Sequence, residues 1–182
     1  MSRSRDNSAN RQPLEYAALG LLMAGPRHGY ELHGEFVEQF GTIWHAGRSQ
    51  FYATLKNLEK GGLAESVMVT QGSRPSRKIL TITPTGQDTF RAWLGAPILH
   101  IREIRVEFLA KLHFYRILEL PGAVTLIDAQ TSVCQERLEQ LRDDLAISTS
   151  QSDPFCELVF DFRRRQIGAI IDWLEECRRR HA

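Results

Sequence analysis

A mainly α-helical fold carrying one small β-hairpin is what this sequence predicts, and three observations predict it. Three short apolar rhythms of helical period open the chain. Two extended segments rich in β-branched residues follow, joined by a basic turn containing Gly and Pro. Two long segments of helical period then complete it. With 182 residues, 42% hydrophobic and 25% charged, the chain has the composition of an ordered protein.

The first helix is expected from Leu14 to Met23, where Leu14, Ala17, Ala18, Leu21 and Leu22 recur at three- and four-residue steps and Gly25-Pro26 stops the run. His28 to Phe40 repeats the rhythm through Tyr30, Leu32, Phe36, Val37 and Phe40, and Gly41 ends it. A third helix, with Ser49 as the expected cap, carries Phe51, Tyr52, Leu55 and Leu58 up to Gly61-Gly62. Each spans only about three turns, too short to be stable unless its apolar stripe is covered. Leu63–Val69 and Lys78–Thr83 read as strands of a hairpin, and Phe90, Trp93 and Leu94 belong to a fourth helix that closes the small core.

The order helix, helix, helix, strand, strand, helix is that of a winged helix-turn-helix, in which the third helix enters the major groove and the hairpin reaches the backbone or minor groove beside it. Net charge is +1 for the whole chain, so any nucleic-acid surface must come from placement. Residues 1–96 carry 11 basic and 8 acidic side chains, and residues 97–182 carry 12 and 14. Six of those 11 basic residues, Arg48, Lys56, Lys60, Arg74, Arg77 and Lys78, fall on the third helix or the hairpin. Gln50, Thr54 and Asn57 add polar groups, Gln50 being best placed to enter the groove. Lys56 and Lys60 flank Glu59 and fit a solvated helix face as well as a phosphate contact. Tyr52 fits core packing as well as a hydroxyl reaching a phosphate.

Helical patterns follow at 103–116, at Ala123 to about Ile147, and at about Phe155 to Arg179, with breaks at Leu120-Pro-Gly122 and at Ser148–Pro154. The two long segments read as an antiparallel hairpin whose leucine and isoleucine faces exceed what one slender pair hides. A second copy of the chain is the expected cover. The expected division is therefore a DNA-binding domain at 12–96 and a helical dimerisation and effector-sensing domain at 97–182. Runs Arg163–Arg165 and Arg178–Arg180 lie among Asp161, Asp172, Glu175 and Glu176 and fit a solvated helix or cross-dimer pairs better than DNA contacts.

The segments ALGLLMAGPRHGYEL at 18–32, FYATLKNLEKGGL at 51–63 and SRKILTITPTG at 76–86 resemble the PadR family of bacterial transcriptional regulators, a likeness spanning about 70 residues with its spacing. In that family Gly25, Pro26, His28, Gly29 and Tyr30 would correspond to the signature turn. Tyr52, Leu55, Leu58, Glu59 and Leu63 would form the recognition-helix and strand pattern, with Thr83 and Gly86 closing the wing. Two positions depart from it: Leu80 stands where a tyrosine is common, and Ser49 where a glycine is frequent. The resemblance implies a homodimeric regulator, commonly a repressor, that binds double-stranded DNA at an inverted repeat and releases it when a small molecule or other signal acts. The surface assigned to DNA is Arg48, Ser49, Gln50, Tyr52, Ala53, Lys56, Arg74, Arg77 and Lys78.

An effector pocket is expected among the aromatic residues near the domain junction, with Trp44, Trp93 and Phe108 as its candidates and His100, Phe114 and Tyr115 close in the chain. The same aromatics fit plain core packing. No phosphate-binding loop, dinucleotide fingerprint, HExxH or nucleophile elbow is present, and the six histidines are scattered, so neither an enzyme, a metal site nor a cofactor is expected. Cys134, Cys156 and Cys177, odd in number and widely spaced, read as small core residues. Met1–Gln12 is polar with three arginines, and no apolar run approaches the roughly 18 residues of a membrane span, so a cytoplasmic protein without a membrane partner is expected. The competing function is a winged-helix module that has lost DNA binding and docks another protein.

Overall fold

The computed structural model describes residues 12–69, 77–148 and 153–181. Helix α1, Pro13–Met23, starts with proline at its first position, where the missing N–H costs nothing. Every residue from Tyr16 to Leu22 is buried, so α1 is covered all round and not on the one face its rhythm suggested. The cause is its central place: α2 (Gly29–Phe40), α3 (Arg48–Lys60), α4 (Pro84–Gly95) and strand β3 (Arg77–Ile82) all pack on it.

Strand β3 is the middle of a three-stranded antiparallel sheet, flanked by β2 (Ala64–Val69) and by a two-residue strand β1, Arg27–His28, whose partners are Leu80 and Ile79. The hairpin was expected from sequence; β1 was not. It converts a free-standing hairpin into a sheet anchored at the entry to α2. There the Glu31 carboxylate accepts the backbone N–H of His28 at 2.9 Å, a reach-back that caps the helix. That hydrogen bond holds the Glu31 carboxyl below its ordinary range.

Helix α3 ends in a Schellman motif. The Gly62 N–H donates to the Glu59 carbonyl at 3.0 Å and the Leu63 N–H to the Leu58 carbonyl at 2.9 Å, with Gly62 at φ 68°, the left-handed region. Leu58 and Leu63 are both buried, so the helix stop and the first residue of the hairpin are fixed by one contact pair.

Beyond α4 the chain forms a 3₁₀ turn (Ile101–Glu103), a π-helical turn (Ile104–Phe108), α5 (Leu109–Ile117), α6 (Ala123–Ser148) and α7 (Pro154–His181). The described residues divide into two compact units. One holds those up to Gly95 together with Arg105–Glu119; the other holds Ala96–Ile104 and those from Leu120 onward. In the first, Phe114 of α5 packs against Phe40 and Phe90 at centroid separations of 5.2 Å, filling the aromatic core beside α1. In the second, α6 and α7 run antiparallel, tied at one end by Arg178 to Asp128 at 2.7 Å. The buried amide of Gln130 both donates to and accepts from the Ile98 backbone, clamping the preceding loop onto α6.

One cysteine differs from expectation. Cys134 and Cys177 are buried as expected, but Cys156 is exposed in the first turn of α7, its thiol donating to Asp153. Among the described residues no helix is long and apolar enough to cross a membrane.

Candidate nucleic-acid interface

The candidate surface follows from the periodicity of α3. Phe51, Thr54, Leu55 and Leu58 are buried against the core, which turns Arg48, Ser49, Gln50, Tyr52, Ala53, Lys56, Asn57 and Lys60 outward. Ser49, Tyr52, Ala53, Lys56 and Lys60 follow three- and four-residue steps along the middle of that exposed face, and Gln50 and Asn57 flank it. All six helix residues assigned to DNA from sequence thus share one solvent-facing surface. Thr54 does not: it is 7% exposed and its hydroxyl donates to the Gln50 carbonyl at 3.1 Å. A β-branched residue three after Phe51 faces inward with it, and the hydroxyl is satisfied by the preceding turn.

The helix begins two residues earlier than a Ser49 cap requires. Gly47 occupies the cap position, so Ser49 lies within the first turn with its side chain exposed. Glycine is tolerated there nearly as well as serine. The first turn carries no carboxylate, leaving the positive end of the helix dipole uncancelled on the same face as Arg48 and Gln50. Tyr52 packs at one edge of its ring and is open to solvent at the other. A methyl placed at Gly29 would come within 3.1 Å of its ring, yet the residue is 42% exposed.

At the hairpin, Lys78 is exposed but held: its Nζ donates to Glu59 Oε2 at 2.7 Å. Arg74 lies outside the described residues, as does the side chain of Arg77, whose backbone belongs to β3. His28 of the signature turn has its Nδ1 3.0 Å from the Lys78 carbonyl, a structural contact between β1 and the wing.

Two of the aromatic candidates, Trp44 and Trp93, belong to one packed column in the first unit. Trp44 lies 5.3 Å from Phe40, Phe40 5.2 Å from Phe114, and Phe114 6.3 Å from Trp93, which stacks on Tyr16 at 4.7 Å. Trp44 is partly exposed, Trp93 is 7% exposed, and Phe108 is fully buried. Beneath Trp93 is a group that sequence reasoning missed. Lys111 is 1% exposed, with its Nζ 4.9 Å from the Trp93 ring centre and 3.9 Å from Glu107, whose carboxylate also accepts the Trp93 indole N–H. Burial pushes the Lys111 ammonium down to about 8, Glu107 only partly opposing it.

On α7, Arg164 and Arg165 both pair with Asp161, and Arg179 and Arg180 with Glu176, while Arg178 pairs with Asp128 of α6, so five of these six arginines already have carboxylate partners. Among the described residues no group of three His, Cys, Asp or Glu is placed to hold a metal ion.

Residues 18–92 match the model of the transcriptional regulator PadR-like family, and residues 104–182 match that of the virulence activator alpha C-terminal region. The chain is 30% identical over 141 residues to the negative transcriptional regulator PadR of Bacillus subtilis, covering 78% of each protein. It is 31% identical over 85 residues to a probable transcriptional regulator of Mycobacterium tuberculosis, covering 47% of this chain and 45% of that one. Among solved structures it is similar to Bacillus subtilis PadR in complex with operator DNA, at 27% identity and a TM-score of 0.47, over 91% of this chain and 97% of that one.

Proposed function

The chain belongs to the PadR-like family of transcriptional regulators, and from that premise we propose that it acts as a homodimeric repressor that grips an inverted repeat and releases it in response to a small molecule or other signal. The observation that carries this reading is the outward face of α3, where Arg48, Ser49, Gln50, Tyr52, Ala53 and Lys56 stand together at a helix start bearing no carboxylate. Its dimensions and polarity suit a major groove, with Gln50 offering both a donor and an acceptor to an adenine edge and Lys56 a point charge to phosphate. From sequence, Arg74 and Arg77 of the hairpin are expected to add phosphate contacts. Repression is the role carried in the name of the Bacillus subtilis relative.

Dimerisation is supported by α7, where Phe155, Leu158 and Phe162 recur at three- and four-residue steps and are 68%, 70% and 65% exposed. A second copy covering that stripe would set two recognition helices at half-sites about 34 Å apart, one helical turn of DNA. A signal that favours a different angle between the copies lowers affinity without touching DNA. An effector acting through Trp44, Trp93 and Phe108 has to enter a packed core in which Trp44 and Trp93 give up ring-on-ring contacts.

Binding to duplexes from the chain's own promoter, followed by fluorescence anisotropy across a salt series and by footprinting, tests the reading. Lys56→Ala is expected to weaken operator and scrambled duplex alike and to lower the salt slope by about one. Gln50→Ala is expected to cost about 1–3 kcal/mol at the operator alone. Equal losses on both duplexes would remove Gln50 from base reading. Absence of any wild-type binding at low salt would instead favour a protein-docking module.

A further inference from the structure

We propose that Glu59 and Lys78 form a clamp at the root of the wing, which fixes the angle between hairpin and recognition helix and makes both of them positioning residues for DNA binding. The proposal rests on the DNA-binding reading above. Glu59 occupies the last turn of α3 and Lys78 the second residue of β3, and the ion pair between them measures 2.7 Å. Ser66 of β2 lies close to the same carboxylate and helps to keep it ionised, so one side chain of the helix faces both strands of the hairpin. From the other edge, His28 of β1 reaches the Lys78 carbonyl at 3.0 Å, and its own backbone N–H is engaged by Glu31. Lys78 is therefore gripped by its ammonium from α3 and by its main chain from the start of α2. Burial pushes the Glu59 carboxyl up, but Lys78 and Ser66 together outweigh it and keep the group ionised below its ordinary range.

Charge separates this role from a phosphate contact. Among the described residues Arg48, Lys56 and Lys60 make no ion pair with a carboxylate, whereas Lys78 does, and a lysine already neutralised offers little to DNA. A carboxylate on a DNA-facing surface repels phosphate, so by charge alone its removal tightens binding to every duplex. A clamp predicts the opposite sign, because the wing then loses its fixed angle.

The experiment compares full-length wild type with Glu59→Ala, Glu59→Gln, Lys78→Met and the Glu59→Ala/Lys78→Met double variant, measuring anisotropy on operator and scrambled duplexes across a salt series. Thermal unfolding of each protein reports folding. Glu59→Ala and Lys78→Met are each expected to lower the preference for operator over scrambled duplex about tenfold, with the double variant no worse than either, as for residues acting through one contact. The salt slope should not change, and Glu59→Gln, which keeps an acceptor oxygen, should recover part of the preference. Equal or tighter operator binding by Glu59→Ala overturns the clamp. So does a Lys78→Met slope lowered by about one with losses that add, the mark of a direct phosphate contact. A wild type that binds no duplex at low salt overturns the DNA-binding reading itself, an outcome separable from both.

Discussion

Glu107→Ala is expected to destabilise the amino-terminal unit by about 3–5 kcal/mol, because it removes the carboxylate that both pairs with a buried lysine and accepts the indole N–H of a tryptophan. The Glu107 carboxylate serves two donors, the Trp93 indole and the Lys111 ammonium, and Lys111 is 1% exposed. Lys111→Met keeps the aliphatic volume under Trp93 and spares the cost of burying the ammonium, so it is expected to stabilise the protein at pH 7 by about 1–3 kcal/mol. The pH dependence gives a sharper test. The ammonium value falls from 10.5 to about 8 on folding, so between those values the unfolded chain holds more protons than the folded one, and this group's contribution to stability rises with pH. The gap between wild type and Lys111→Met should therefore shrink by about 3 kcal/mol from pH 7.5 to pH 10.5, the magnitude that a shift of this size implies. Urea unfolding of both proteins across that range measures it, and a gap that stays constant would show that Lys111 is not buried as a charged group.

Lys111 also marks where sequence reading ran out. Its neighbours Phe108, Leu109, Leu112 and Tyr115 announce a helix with an apolar face, and a lysine in such a helix is ordinarily assigned to solvent. Its burial depends on Trp93 and Glu107, which are 18 and 4 residues away, and on the return of residues 105–119 to the first unit, which no local rhythm encodes. Strand β1 was illegible for a different reason: two residues, Arg27 and His28, cannot display an alternation, and their pairing with Leu80 and Ile79 is wholly non-local. By contrast, the order of α1 to α4 and the exposed face of α3 were legible, because Phe51, Leu55 and Leu58 repeat at helical spacing and leave Ser49, Ala53 and Lys56 no route inward. Thr54 was misplaced because its polar side chain was weighed above its position on that buried arc; its hydroxyl needs only the carbonyl one turn back.

The Thr83-x-x-Gly86 step that closes the wing is a packing device, and Gly86→Ala is expected to destabilise the first unit by about 3 kcal/mol or more. A methyl on Gly86 would lie 2.0 Å from the Leu63 carbonyl oxygen and 2.8 Å from Ile82 Cγ1, so α4 has to move away from the hairpin to admit it. The Leu63 carbonyl cannot yield easily, because it accepts the Thr83 N–H at 3.0 Å, while the Thr83 hydroxyl donates to the Gly62 carbonyl at 2.7 Å and accepts the Gly86 N–H at 3.1 Å. One residue thus joins the end of α3, the end of β3 and the start of α4. Thr83→Val removes the hydroxyl but keeps the shape, and since Thr83 is only half-buried and Gly62 is exposed its cost should be smaller, about 1–2 kcal/mol. Chemical denaturation ranks the two, and a Gly86→Ala protein as stable as wild type would refute the close approach. The functional consequence follows from position. Displacing α4 shifts Leu63 and Ile82, which pair the base of the hairpin with the end of the recognition helix, so operator binding should fall in Gly86→Ala even at temperatures where the variant remains folded, and fall less in Thr83→Val.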